Sequence, residues 1–199
     1  MTPEVRAIAD RFILDTANVK YLAANLPEGA LDRRVEGLDW SVRQAFGHFV
    51  VWLEGYVEAL PAMIRNELPA GEFDVASFNS NGAEQTANTP IPEMVARLDT
   101  ALSQLLKLLT QMPKAAGDQP LGSGTLTDLL RHWSLHMSEH SIDLVDTLPE
   151  LRFDPMILNW VLYVDYSNDP RRFERQEALM ADVREHYVDD DEDEDDDDS

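Results

Sequence analysis

The sequence predicts an all-α fold, a four-helix bundle with one or two further helices at the C-terminus, and three observations carry that expectation. Apolar residues recur at steps of three and four through most of the 199 residues, the period of a helix with one buried face. Alternation of period two among β-branched residues hardly occurs. Four amphipathic stretches follow one another in series between breaks rich in Pro and Gly, which is the pattern of a bundle.

The first helix is expected from about Pro3 to Leu26. Thr2 is its cap, Pro3 suits the first turn and Glu4 meets the positive end of the dipole. It buries Ile8, Phe12, Val19 and Leu22. The pattern then lapses from Pro27 to Trp40, and Ser41-Val-Arg-Gln44 supplies the serine and glutamine of a capping box. The second helix carries Phe46, Phe49, Val50, Leu53 and Val57 inward, and Pro61 kinks or ends it. Pro69 to Pro90, rich in Asn, Ser, Gly, Ala and Thr with the aromatics Phe73 and Phe78, reads as a long connection of the kind that often serves function.

A third helix, about Ile91 to Met112, aligns Met94, Leu98, Leu102, Leu105 and Leu109. Gly117 to Gly124 breaks the chain, and Thr125 or Thr127 caps a fourth helix through about Thr147. Shorter helices follow near Ile157 to Val164 and Phe173 to Tyr187. The expected organisation is a bundle domain over 1–150, a helical extension packed on it over 151–187, and a disordered acidic tail over 188–199. The tail can bury nothing and repels itself, so solvation is its expected role.

The chain holds 38 acidic against 16 basic side chains, a formal charge of −22, and ten of the acids lie between Asp189 and Ser199. The remainder is still at −12. A field of that sign repels phosphate backbones and anionic membrane surfaces, so neither nucleic acid nor membrane is an expected partner. No apolar run approaches the roughly 18 residues needed to cross a bilayer, and the N-terminus has no leader-like pattern. A cytoplasmic protein is the expectation. There is no cysteine, which removes disulfides and thiolate ligands and leaves His, Asp and Glu to hold any metal.

Three of the five histidines stand at four-residue steps in the fourth helix, His132, His136 and His140. Neighbours in that series share a face and can converge on one ion, whereas the outer two are separated by about 12 Å along the axis. A third ligand must come from another helix, and His48 sits among Phe46, Phe49, Val50 and Trp52 on an apolar face. Bundle interiors build metal sites from facing helices, so His48, His136 and His140 are expected to share a divalent ion, zinc or nickel by ligand type. Three protein ligands leave a position open for water or substrate.

His132 then becomes a partly exposed polar residue or a donor behind the ligands, and a candidate pocket residue. Glu139 and Asp143 are each able to orient a ligand imidazole or accept a proton from bound water, and Glu139 is the candidate catalytic residue. His186 has no expected chemical role. His136-Met-Ser-Glu-His140 also fits the H-x-x-E-H pattern of inverted zincins. The 59 residues after His140 are too few to complete such a protease.

Trp40-Ser-Val-Arg-Gln-Ala-Phe-Gly-His48 with Trp52, followed in order by Leu130-Arg-His-Trp-Ser-Leu-His136-Met-Ser-Glu-His140, resembles the DinB-like superfamily over about Pro3 to Leu148. That group includes the DinB/YfiT proteins and the N-terminal domain of mycothiol-dependent maleylpyruvate isomerase. The resemblance implies a four-helix bundle whose second and fourth helices give a histidine triad to a divalent metal. It also implies a metal-dependent transferase or isomerase that uses a low-molecular-weight thiol, and a homodimer.

Three readings of function stand. In one, an enzyme acts on a small organic substrate in a pocket roofed by the Pro69 to Pro90 connection and lined by Trp52, Phe78 and Asn79, with Arg43 or Arg131 offsetting the negative field for anionic ligands. In another, the bundle binds a metal or ligand without catalysis. A third, purely structural role leaves the histidines buried and metal-free.

Overall fold

Thr2 accepts a hydrogen bond from the Val5 backbone N–H, and from there α1 runs over Pro3–Ala24. In this computed structural model, which describes residues 1–67 and 74–192, the predicted bundle is present. Phe73 and the end of the acidic tail, 193–199, lie outside the described residues. The helix α2 spans Val42–Ile64 and starts at the expected capping box, Ser41 accepting from the Gln44 N–H while Gln44 Oε1 accepts from the Ser41 N–H. Pro61 does not end it. The stop comes at Asn66, in the left-handed region at φ 58°, where the Glu67 and Asn66 N–H groups close back on the Ala62 and Met63 carbonyls as a Schellman cap does.

The expected long connection contains a helix. Asp74 caps α3 (Val75–Thr86) through the Ser77 N–H, and this helix packs on α2. Small residues make that approach. A Cβ on Gly47 would stand 1.8 Å from Thr86 Oγ1, one on Gly82 would press on Val51, and one on Gly55 would press on Phe78. Period counting missed α3 because its buried positions are Gly82, Ala83 and Thr86, which carry almost no hydropathy signal.

The third long helix, α4 (Ile91–Gln111), packs its Met94, Leu98, Leu105 and Leu109 stripe against α1 and α2. A one-turn helix, α5 (Lys114–Gly117), and a two-residue hairpin follow, with β1 (Pro120–Leu121) paired antiparallel to β2 (Gly124–Thr125). Thr125 closes a capping box with Asp128 and starts α6 (Leu126–Glu139), which lies along α1. The expected single fourth helix is interrupted at His140, and α7 (Ser141–Thr147) continues from it. The extension adds α8 (Pro155–Leu162) and α9 (Pro170–Glu192), so helix persists beyond position 188, where the tail was expected to begin. No helix among the described residues is long and apolar enough to cross a membrane.

The core is continuous from Phe12 and Val19 of α1 through Phe46, Phe49 and Leu53 of α2, Leu98 and Leu105 of α4, and Leu130 of α6 to Trp160 of α8. Burial of these side chains is the main favourable term of folding, at roughly 25 cal/mol per Å² of apolar area.

Candidate metal centre

Within this frame α2 and the α6–α7 junction face each other across the bundle, and the three expected histidines meet there. One ligand atom from each of His48, His136 and His140 lies within 4.8 Å of the others. His48 Nε2 stands 2.7 Å from His136 Nε2, and the ring centroids are 4.8 Å apart for that pair, 5.1 Å for His48 and His140, and 5.3 Å for His136 and His140. His48 is buried and the other two are partly buried, so the cluster sits at the edge of the core.

Burial, then the neighbouring imidazoles His140 and His136, hold the His48 pKa down to about 2. Burial, then the neighbouring His140, His132 and Arg172 side chains, bring His136 down to about 3. Both rings are therefore neutral at physiological pH, the form in which imidazole ligates metals. The donor set fits a first-row divalent ion. Around a tetrahedral zinc with bonds of 2.0–2.1 Å the donors stand about 3.3 Å apart, so the close pair would open by about half an ångström.

Aromatic side chains wall the cluster. Trp40, in the turn before α2, has its ring 4.5 Å from His48 and 6.1 Å from His140, and Phe49 lies 6.0 Å from His140. Trp52 packs 4.9 Å from His136 and 4.9 Å from Phe78, and its indole N–H donates to Asn79 Oδ1 at 2.8 Å. The expected lining residues Trp52, Phe78 and Asn79 thus form one group beside His136. The segment that supplies two of them is a helix, not a loop.

Of the two acids proposed to orient a ligand, the structure places Asp143 at the triad. Asp143 Oδ2 lies 3.4 Å from His140 Nδ1, and the carboxylate is buried. Burial raises its pKa, but hydrogen bonds from His140 and Arg172 outweigh that and keep it below the ordinary value. Glu139 ends α6 half-buried, and its charge acts on the buried Tyr56 phenol, whose pKa is raised mainly by burial. Among the described residues it makes no hydrogen bond to the three rings. His132 is exposed one turn from His136. Arg131 pairs outward with Asp128, and Arg43 donates to the Thr89 carbonyl, so neither compensating arginine engages the triad. His186 stacks on Phe153 at 4.2 Å.

The sequence reading missed Arg172, Arg175 and Tyr166. Arg172 donates to Asp143 Oδ2 and Arg175 to Oδ1, both at 2.8 Å. Arg172 and Arg175 are three apart, as are Asp143 and Asp146 opposite them, and that matched spacing was the available signal.

Three histidines set between helices of a four-helix bundle form a group that could hold a metal ion. The family model for the DinB superfamily matches residues 11–142, and the chain belongs to that superfamily. Among solved structures the fold is similar to a histidine-to-alanine mutant of the mycothiol-dependent maleylpyruvate isomerase, with a TM-score of 0.58, 10% identity, and coverage of 80% of this chain and 70% of that one. No curated protein matches this chain.

Proposed function

We propose that the protein is a divalent-metal-dependent transferase or isomerase that acts, with a low-molecular-weight thiol, on a small organic electrophile. The observation that carries this reading is the convergence of His48, His136 and His140 at the edge of the core. Membership of a superfamily whose fold is shared by a thiol-dependent isomerase supports it.

His48, His136 and His140 would hold the ion, zinc or nickel by ligand chemistry. Such an ion, when bound, supplies Lewis acidity and lowers the pKa of a thiol or water presented to it. Asp143 holds the His140 ring by its Nδ1 side and leaves Nε2 for ligation. Trp40, Phe49 and Trp52 keep water from the inner face of the triad. Phe78 and Asn79 form the side wall against which the carbon skeleton of a substrate would lie, with Asn79 Nδ2 as a donor. Glu139 is our candidate for proton transfer.

The test is a panel of low-molecular-weight thiols with electrophilic substrates, run on metal-loaded and metal-stripped protein. Turnover that appears only with metal and thiol together supports the reading. Metal binding without turnover across the panel points instead to a non-catalytic metal-binding bundle.

A further inference from the structure

The family match ends at residue 142, yet the contacts that place the third histidine come from beyond it. In a continuous helix the Ile142 N–H would bond to the Ser138 carbonyl. Here the Tyr166 hydroxyl stands between them, donating to the Ser138 carbonyl at 3.0 Å and accepting from the Ile142 N–H at 3.4 Å, with Ser141 Oγ at 2.9 Å. A side chain inserted into the ladder breaks a helix at that point. The residue inside the break is His140, at φ −92° and ψ −1°.

The ring is held from the same direction. Arg172 Nη2 donates to Asp143 Oδ2 at 2.8 Å and lies 3.5 Å from His140 Nδ1. Arg175 binds the other carboxylate oxygen, reaches Asp146 at 2.5 Å and donates to the Ile142 carbonyl at 3.3 Å. With Arg172 committed to the carboxylate, Asp143 is the acceptor that favours the proton on His140 Nδ1, the tautomer whose Nε2 keeps the lone pair a metal needs. A guanidinium released from Asp143 would be free to donate to Nδ1 instead and would send the proton to Nε2, the tautomer that cannot ligate.

We infer that the C-terminal extension is a working part of the metal centre: Tyr166 sets the backbone of His140 and Arg172, through Asp143, sets its ring, so docking of α9 and metal affinity are coupled. The inference rests on the proposed metal-binding role of the triad. Because coupling is reciprocal, metal binding must tighten α9 on the bundle as much as α9 tightens the metal.

Cobalt(II) is the probe, since its visible absorption reports ligand geometry. The wild type, Arg172→Gln, Arg172→Lys, Tyr166→Phe and Asp182→Asn are titrated with it, each checked for helicity. Asp182 ties α9 to Arg152, which among the described residues makes no bond to Asp143 or His140, and is the control for loosened packing. Arg172→Gln and Tyr166→Phe are expected to bind cobalt at least ~10-fold more weakly with an altered spectrum. Arg172→Lys recovers part of the affinity, and Asp182→Asn stays within about twofold of the wild type. Cobalt is also expected to slow amide exchange in α9 of the wild type and not of Arg172→Gln. If Arg172→Gln and Tyr166→Phe bind as the wild type does, or Asp182→Asn weakens binding as much as they do, the coupling is overturned while the metal site stands. If the wild type binds no cobalt, both fall.

Discussion

At Gly47, the residue before His48, an added methyl group would stand 1.8 Å from Thr86 Oγ1, so one hydrogen atom in place of a side chain lets α3 close on the helix that carries His48. Gly47→Ala is expected to cost about 1–3 kcal/mol by overpacking, read as a lowered midpoint of thermal unfolding with helicity retained below it. Asp15 is a second residue whose surroundings dictate a measurable effect. It is buried beneath Trp160, whose indole donates to it at 3.2 Å, and beside Arg11 at 3.2 Å. Burial raises its pKa to about 6 from 3.8 despite Arg11. A folded-state pKa above the unfolded one means the native state binds the extra proton between those values, so this group's contribution to stability falls as pH rises from about 4 to 6. The penalty above that window is roughly 3 kcal/mol. Asp15→Asn should therefore gain stability relative to the wild type as pH is raised from 4 to 7 in paired urea titrations, and an unchanged difference would contradict the assignment. Glu139→Gln is expected to lower kcat of the proposed reaction by ~100-fold or more and to leave bound metal unchanged. The triad itself was legible in the sequence, because two histidines one turn apart and a third on an apolar face have few ways to be satisfied in one bundle. Arg172 was missed, since it stands 29 positions from Asp143 in the chain and the matched three-residue spacing of the two pairs was a weak hint.

Among the elements, α1, α2 and α4 follow from the three- and four-residue apolar step, and their caps at Thr2 and Ser41 stand where the sequence put them. Two others depend on contacts that local pattern does not encode. The helix α3 is held by close approach at Gly47, Gly55 and Gly82 and by the Trp52–Asn79 bond, and the break between α6 and α7 comes from a tyrosine 26 positions beyond His140 in the chain. Asn79→Ala removes the acceptor for Trp52 at a cost of about 1 kcal/mol. Faster amide exchange confined to α3, with α1 and α4 unchanged, is the expected result, and an unaltered α3 would show that the bond does not hold it.

For the whole molecule, the bundle and the extension act together: α1, α2, α4 and α6 build the core, and α8 and α9 reach back to the junction that carries His140. The acidic excess noted in the sequence is met locally there, where Arg152, Arg172 and Arg175 bind Asp143, Asp146 and Asp182. The central claim is that three imidazoles from separate parts of the chain hold one ion. Elemental analysis of untagged protein expressed with ample zinc and nickel tests it most directly, on the wild type and on His48→Ala, His136→Ala and His140→Ala. The account predicts close to one equivalent of divalent metal per chain in the wild type, lost in each variant while helicity is kept. A metal-free wild type, or variants that retain the ion, would contradict it.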